Sequence, residues 1–331
     1  MKLSKSLIIL LSAGIIATSC SRHKPTDSNT SGVTSIMCDE SFRNIVDQEI
    51  DVFEFTYPKA SIIPYYLNES DAIDSLYNGA TNFIVVTREL QPDMVTNLNN
   101  RDRRVKSQKI AVDAIAVIAN NDNPIEELSI SELRDILTGK VSKWDEISPN
   151  NLKDIMLVFD NQGSSTVRYM KDSITDGADF AKNVFAQKTN KEVFEVVKKK
   201  KNAIGVIGVT WLNSDLDGTS SDEQTLKQKV DNLNRNDTTE LKSEYTANMI
   251  KDLKVLAIRR DDNPVAYKPF QYYIYTGDYP LFRSVYAIST APSGSLSHGF
   301  YTFLTGVISQ KIILGTGILP ANIPLRNVEL Q

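Results

Sequence analysis

The run KIAVDAIAVIANNDNP, residues 109–124, is apolar over enough length to carry the chain out of one lobe and into a second before a polar turn stops it. On its N-terminal side strands and helices alternate. SGVTSIMCD (31–39) is a short apolar strand, and ESFRNIVDQEIDVFEFTYP (40–58) sets Phe42, Ile45, Val46, Ile50 and Phe53 on one helical face that ends before Pro58. ASIIPYYLN (60–68) reads as a strand, SDAIDSLYNG (70–79) as a short helix capped by Ser70 or Asp71 and terminated by Gly79, and TNFIVVTREL (81–90) as a buried strand.

On its C-terminal side LSISELRDILTGKVSKWDEI (128–147) is a helix broken by Gly139, LKDIMLVFD (152–160) a strand, and GSSTVRYMKDSI (163–174) a glycine turn entering a helix. KEVFEVVKKKKNAIGVIGVTWL (191–212) gives a helix, a stop at Asn202 and a glycine-containing strand. Lys198 to Lys201 fall where cations favour a helix C-terminus, which is their simplest reading. Residues 213–246 are polar and charged, a surface excursion or hairpin of low order. A second long apolar passage, YIYTGDYPLFRSVYAIST (273–290), precedes FYTFLTGVISQKIILGTGILPA (300–321), an amphipathic helix with a glycine turn. Strands alternating with helices predict an α/β fold with a mostly parallel sheet in each lobe. No internal repeat recurs at a fixed period.

The first residues add an address. Lys2 and Lys5 precede an apolar run from Ser6 to Ala17, and Ala17, Thr18 and Ser19 lead into Cys20. This is a secretory leader, too short for a comfortable permanent span, with a cysteine directly after its small residues. Residues 1–19 therefore read as a lipoprotein signal peptide and Cys20 as the lipidated first residue of the mature chain, although the leucine usual near such a site is absent. SRHKPTDSNTSG (21–32) is polar, so residues 20–32 form a flexible tether and the fold starts near Val33.

Cleavage before Cys20 removes Lys2 and Lys5, leaving 35 basic and 41 acidic groups, a formal charge of −6 against −4 for the full chain. That balance gives no reason to expect nucleic-acid binding. About 300 residues after the tether exceed what one hydrophobic core usually serves, so two lobes are expected. Cys38 has no partner once Cys20 carries lipid, and it reads as a small buried apolar residue. The two histidines, His23 and His298, cannot build a histidine-rich metal site, and no cofactor is expected. A calcium-loop pattern begins at Asn213, Asp215, Asp217 and Gly218 but fails at Gln224, its twelfth position.

Several segments resemble the phosphate-binding receptors of bacterial phosphate ABC transporters, members of the type II periplasmic binding proteins. They are Leu133 to Gly139 followed by Trp144; Gly163-Ser164-Ser165-Thr166; Asn202-Ala203-Ile204-Gly205; Tyr279-Pro280-Leu281; and Phe303-Leu304 running to Gly317 and Pro320. They occur in the family's order over nearly the whole mature chain. The resemblance implies two α/β lobes of mixed sheet flanked by helices, joined by two crossing strands, with the ligand in a cleft between them. Lobe one would comprise residues 33–113 and 285–328, and lobe two 114–284. It also implies an extracytoplasmic monomer, held to the membrane through Cys20, that delivers a small oxyanion, phosphate first, to an ABC permease.

An oxyanion taken out of water needs fixed donors, and helix N-termini supply them through free N–H groups and the local dipole. Gly163 permits the turn, while Ser164, Ser165 and Thr166 add hydroxyls; the plainer reading of these residues is helix capping. In the family, Glu40-Ser41-Phe42, Ser70 and Thr87-Arg88 would converge on the same cleft. The resemblance usually carries an acidic residue at the end of the strand that here is Phe83 to Val86, and an arginine just before the glycine-serine turn. This chain has Thr87 and Arg88 at the first place and Asp160, Asn161 and Gln162 at the second. The charges are exchanged: Arg88 could supply the cation by bidentate contact, and Asp39 or Asp160 could accept the ligand's proton. Arg168 is a second candidate cation, and both arginines have ion pairing as their structural alternative. A serine hydrolase would need a base, and GSST is not the nucleophile elbow G-x-S-x-G, so catalysis is not expected. The competing reading is a receptor-fold lipoprotein whose anion binding is altered or lost and which serves sensing or another envelope partner.

Overall fold

The computed structural model describes residues 27–212, 223–234 and 253–322. Cys20, the leader, most of the tether and the positions Asn213 to Gly218 of the calcium-like pattern lie outside the described residues.

The chain opens with β1 (Ser31–Asp39), a 3-10 turn over Glu40–Phe42 and α1 (Arg43–Thr56), followed by β2 (Lys59–Leu67), α2 (Glu69–Asn78), β3 (Phe83–Val86) and α3 (Pro92–Asn100). Burial along α1 recurs at helical spacing, with Ile45, Val46, Glu49, Ile50, Val52 and Phe53 inside. The cap of α2 is Asn68, two residues before the expected Ser70: its side chain accepts from the Asp71 amide at 2.9 Å, leaving Ser70 exposed in the first turn. Gly79 ends α2 as expected, in the left-handed region at φ 85°. The folded body begins slightly before Val33, because β1 starts at Ser31 and Asp27 accepts from the Leu296 amide at 3.0 Å.

Next come β4 (Lys106–Asn120), β5 (Glu127–Ser129), α4 (Ile130–Thr138), β6 (Met156–Phe159) and α5 (Ser165–Tyr169), which runs on as a π-helical turn to Ile174. Then follow β7 (Val184–Ala186), α6 (Asn190–Lys199), β8 (Ala203–Gly208), α7 (Glu223–Asn234), β9 (Leu253–Val255), β10 (Ala257–Arg259) and β11 (Ala266–Tyr267). The chain closes with α8 (Gln271–Thr276), β12 (Phe282–Ser289), α9 (Leu296–Leu304), α10 (Val307–Gly315) and β13 (Leu319–Pro320).

Strand order in the main sheet is β2-β1-β3-β12-β4-β8-β6-β7, with β9 and β13 also pairing to β4. The flanks are parallel, β1 with β2 and β3, and β6 with β7 and β8, as strand-helix alternation requires. The middle is antiparallel: β12 pairs so with β3 and β4, and β4 pairs so with β8. At about 3.3 Å per residue β4 spans roughly 50 Å. Residues up to Ala114 pair with β12, and Ile115 to Ala119 pair with β8, so one strand belongs to two half-sheets and joins two lobes. A separate sheet, β11-β10-β5, lies off this path.

The second passage is built differently from a continuous strand. Residues 271–276 are helical, Gly277 turns at φ 75°, and the chain then lies against β4, where Tyr279 donates to the Ile115 carbonyl at 2.6 Å and the Ile115 amide to Leu281 O at 2.9 Å. Gly277 and Pro280 punctuate the apolar run that looked uninterrupted by hydropathy. The polar excursion likewise contains an unexpected element. Leu226, Val230 and Leu233 recur at helical spacing along α7 and pack with Val52 and Ile312. At the C-terminal end two helices stand where one was expected, because the chain breaks at Thr305 and Gly306. Cys38 and Trp144 are fully buried, and the indole donates to Asn202 O at 3.0 Å.

Candidate functional site

β6 delivers its last apolar residue, Phe159, into the core and hands the chain to the turn Asp160 to Gly163. Ser164 then caps α5, accepting from the Val167 amide at 3.2 Å while its own hydroxyl donates to the Asp160 carboxylate. A Cβ at Gly163 would come within 2.8 Å of Asn68 Cγ, so the glycine is what lets the α2 cap approach this turn. Ser165 and Thr166 are fully buried.

Their surroundings come from across the molecule. At the end of β1 the Asp39 carboxylate accepts from Ser41 N at 2.8 Å with one oxygen and from Ser165 N at 3.2 Å with the other. The Ser41 and Ser165 hydroxyl oxygens lie 3.5 Å apart, and Thr210 Oγ1 donates to the Ser41 carbonyl at 3.1 Å. Arg283 of β12 completes the cluster. Its Nη1 donates to Ser165 Oγ at 2.8 Å and to Thr166 Oγ1 at 3.3 Å, its Nε donates to Asp113 at 3.0 Å, and its guanidinium carbon stands 5.3 Å from the centre of the Phe42 ring. Arg283 and Asp113 are direct cross-strand partners in the β12–β4 register, so the sheet itself fixes the pair.

Arg283 escaped the sequence reading. The available signal was a lone arginine in an apolar strand, on the same alternating face as Val285 and Ala287, facing another passage that carries a lone Asp113. Asp113 was missed for the same reason.

A second cluster lies nearer the surface around Glu69, the first residue of α2 and also absent from the sequence reading. One Glu69 oxygen accepts from Thr87 N at 2.7 Å and Thr87 Oγ1 at 2.5 Å, and the other accepts from Arg168 Nε at 2.5 Å. Arg168 also donates to Thr87 Oγ1 at 2.6 Å and contacts Asp172 at 3.4 Å. Arg88 is 3.5 Å from Glu69, with its side chain 38% exposed. Of the residues singled out in the sequence, Asp39, Ser41, Asp160, Gly163, Ser164, Ser165 and Thr166 therefore gather around the inner cluster, Thr87, Arg88 and Arg168 around Glu69, and exposed Ser70 beside them.

The electrostatics of the two clusters differ. Burial raises the Asp39 carboxyl above its usual range despite the opposing Arg283 charge. Burial likewise lifts Asp113 to about 6 against the pull of Arg283, and Asp160 to about 7 against the Ser164 hydrogen bond. Glu69 goes the other way: burial pushes it up, but Arg168 and the Thr87 donors hold it below the usual carboxylate value. Amides, hydroxyls and a guanidinium facing a carboxylate form an arrangement suited to holding an anion. His298, the only histidine of the described residues, engages Lys106 Nζ at 3.3 Å and stacks on Tyr301.

Comparison with known proteins places the chain in a family. A curated relative, phosphate-binding protein PstS 2 of Streptococcus pneumoniae, is 28% identical over 122 residues, covering 37% of this chain and 40% of that protein's length. Phosphate-binding protein PstS of Pseudomonas aeruginosa is 20% identical over 309 residues, covering 88% of this chain and 84% of that protein. A substrate-binding protein of Clostridium perfringens, solved with bound phosphate, superposes with a TM-score of 0.66 at 18% identity, over 88% of this chain and 100% of that one, a likeness of fold. With residues 24–310 matched by the model of a PBP superfamily domain, the chain belongs to that superfamily, has the two-lobed periplasmic binding protein fold and is similar to the PstS proteins.

Proposed function

We propose that the chain is an extracytoplasmic solute-binding lipoprotein that captures inorganic phosphate, or a similar small oxyanion, between its lobes for ABC-type uptake. The observation that carries this reading is the meeting of Ser41 N and Ser165 N with the hydroxyls of Ser41, Ser165 and Thr166 and the guanidinium of Arg283 at one buried point. Fixed donors of this kind replace the water lost by an oxyanion, and the charged partner strengthens them. Lobe one is taken as residues 33–113 plus 285–328 and lobe two as 114–284, so the point lies at their boundary.

Roles divide by depth. Ser41, Gly163, Ser165, Thr166 and Arg283 form the holding set, and Ser164 keeps the turn in shape. Thr87, Arg88, Arg168 and Ser70 form the mouth, where the arginines attract the anion. Asp39 or Asp160 accepts the proton that phosphate keeps near neutral pH and sulfate lacks, which favours phosphate. Lipid on Cys20 tethers the receptor at the membrane beside a permease, and the chain binds its ligand without transforming it.

A specific observation favours a second reading, altered or lost anion binding. The amide of Ser165 is already engaged by Asp39 and the Ser165 hydroxyl by Arg283. Calorimetric titration of the purified protein with phosphate, sulfate and phosphonates separates the two. Phosphate binding at one site per chain supports the receptor reading, and no binding by any of these anions overturns it in favour of the second.

A further inference from the structure

Asp39 is the most unusual member of the inner cluster. Its side chain is buried to 1% exposure, and its two oxygens are shared between elements on opposite sides of the boundary, Ser41 N after β1 and Ser165 N at the start of α5. Around it stand the hydroxyls of Ser41 and Ser165, 3.5 Å apart, and Arg283 reaches both Ser165 and Thr166. Backbone amides, hydroxyls and a guanidinium make up the coordination an oxyanion would receive, and here the chain's own carboxylate receives it.

We propose that Asp39 is an internal anion, a latch that fills the oxyanion's place and holds the two lobes together without ligand. The inference rests on the reading of this cluster as the anion site. Its physical basis is charge and donor count. A bound phosphate needs the Ser165 amide that Asp39 uses, and two anions sharing one buried pocket repel strongly. Capture is therefore an exchange: the Asp39 side chain turns away from Ser165 N as the ligand enters, which leaves Asp160 as the acceptor of the ligand's proton, and it returns when the ligand leaves. The exchange scales apparent affinity by the fraction of time the latch is open, and it keeps the empty receptor closed.

Asp39→Asn isolates the latch. The remaining carbonyl oxygen can still accept from Ser41 N and preserve the turn, but the new amide group turns a donor toward the Ser165 donor, so the bond between the lobes is lost. Inorganic phosphate titrated into the full-length chain by calorimetry should bind Asp39→Asn at least tenfold more tightly than the unaltered protein. Hydrogen exchange of segment 163–168 should be slow in the unaltered protein with or without phosphate. In Asp39→Asn it should be fast without phosphate and slow with it. Asp39→Ser serves as a second variant, with circular dichroism as the check of folding in both. Equal or weaker phosphate binding by folded variants, with exchange unchanged, overturns the latch while leaving the receptor reading intact. If neither protein binds phosphate, the receptor reading falls and exchange alone decides: faster exchange in the variants upholds the latch, and unchanged exchange overturns it.

Discussion

Two polar clusters join the β1–β3 side of the molecule to the start of α5, and their charge balances are opposite. In the inner one, Asp39, Asp113 and Asp160 are all fully or almost fully buried around the single guanidinium of Arg283. In the outer one, a single buried carboxylate, Glu69, is shared by Arg168 and Arg88. The inner carboxyls are raised by burial, and the outer one is lowered by Arg168 and the Thr87 donors against its own burial. The difference separates two arrangements that a scan for conspicuous charges would merge: the outer cluster is a clasp of two arginines on one buried carboxylate, and the inner one gathers donors around a buried carboxylate of its own.

Breaking the inner pair should have the largest effect. Arg283→Met leaves Asp113 buried without its partner, and loss of one member of a buried pair typically costs about 3–5 kcal/mol. Denaturant unfolding should show a loss of that order, and phosphate binding should vanish in whatever fraction stays folded. Glu69→Gln breaks the outer clasp. It removes one charge-assisted acceptor from Arg168, which is itself part-exposed, so unfolding should register about 2 kcal/mol. If the two losses came out equal, the division into pocket and clasp would fail.

The clusters should also respond to pH with opposite signs. Asp113 and Asp160, near 6 and 7, keep protons in the folded state that the unfolded chain has released. Their contribution is complete below the unfolded carboxylate value, about 4, and is lost as pH rises through 6 to 7. Glu69 contributes above its unfolded value and loses that contribution as pH falls through its lower folded value. Thermal unfolding between about pH 5 and 8 should therefore show a Tm that declines with pH, and Asp160→Asn should flatten part of that decline while Glu69→Gln leaves it in place. The smallest effect belongs to Arg88→Ala. A part-exposed ion pair is worth at most about 1 kcal/mol, so stability should barely move, while phosphate association should slow and lose some of its salt dependence.

Much of this architecture was legible before any coordinates. The run at 109–124 carried enough length and apolarity to be read as a passage between lobes, and it lies in β4, the strand that two half-sheets share, while the GSST turn declared itself through its glycine and hydroxyls. What stayed hidden depended on pairing register or on a local competitor. Arg283 acquires its meaning only when β12 lies beside β4 and sets it opposite Asp113. Glu69 looked like any acidic residue in a first helical turn, and Ser70 drew the attention because Asn68, the actual cap, preceded the expected start. Arg88 was the visible cation, yet the outer carboxylate lies within 3.5 Å of it while Arg283 occupies the inner site. Hydropathy marks which strands are buried, but a charged residue inside such a strand finds its role from the neighbour that the sheet supplies.

The most direct test of the account is a crystal structure grown at saturating phosphate. It should contain a tetrahedral anion within hydrogen-bonding distance of Ser41 N, Ser165 N, Thr166 Oγ1 and Arg283, with Asp39 turned away from the Ser165 amide. A structure obtained under the same conditions with no anion there, and with Asp39 still bound to Ser165 N, would contradict it.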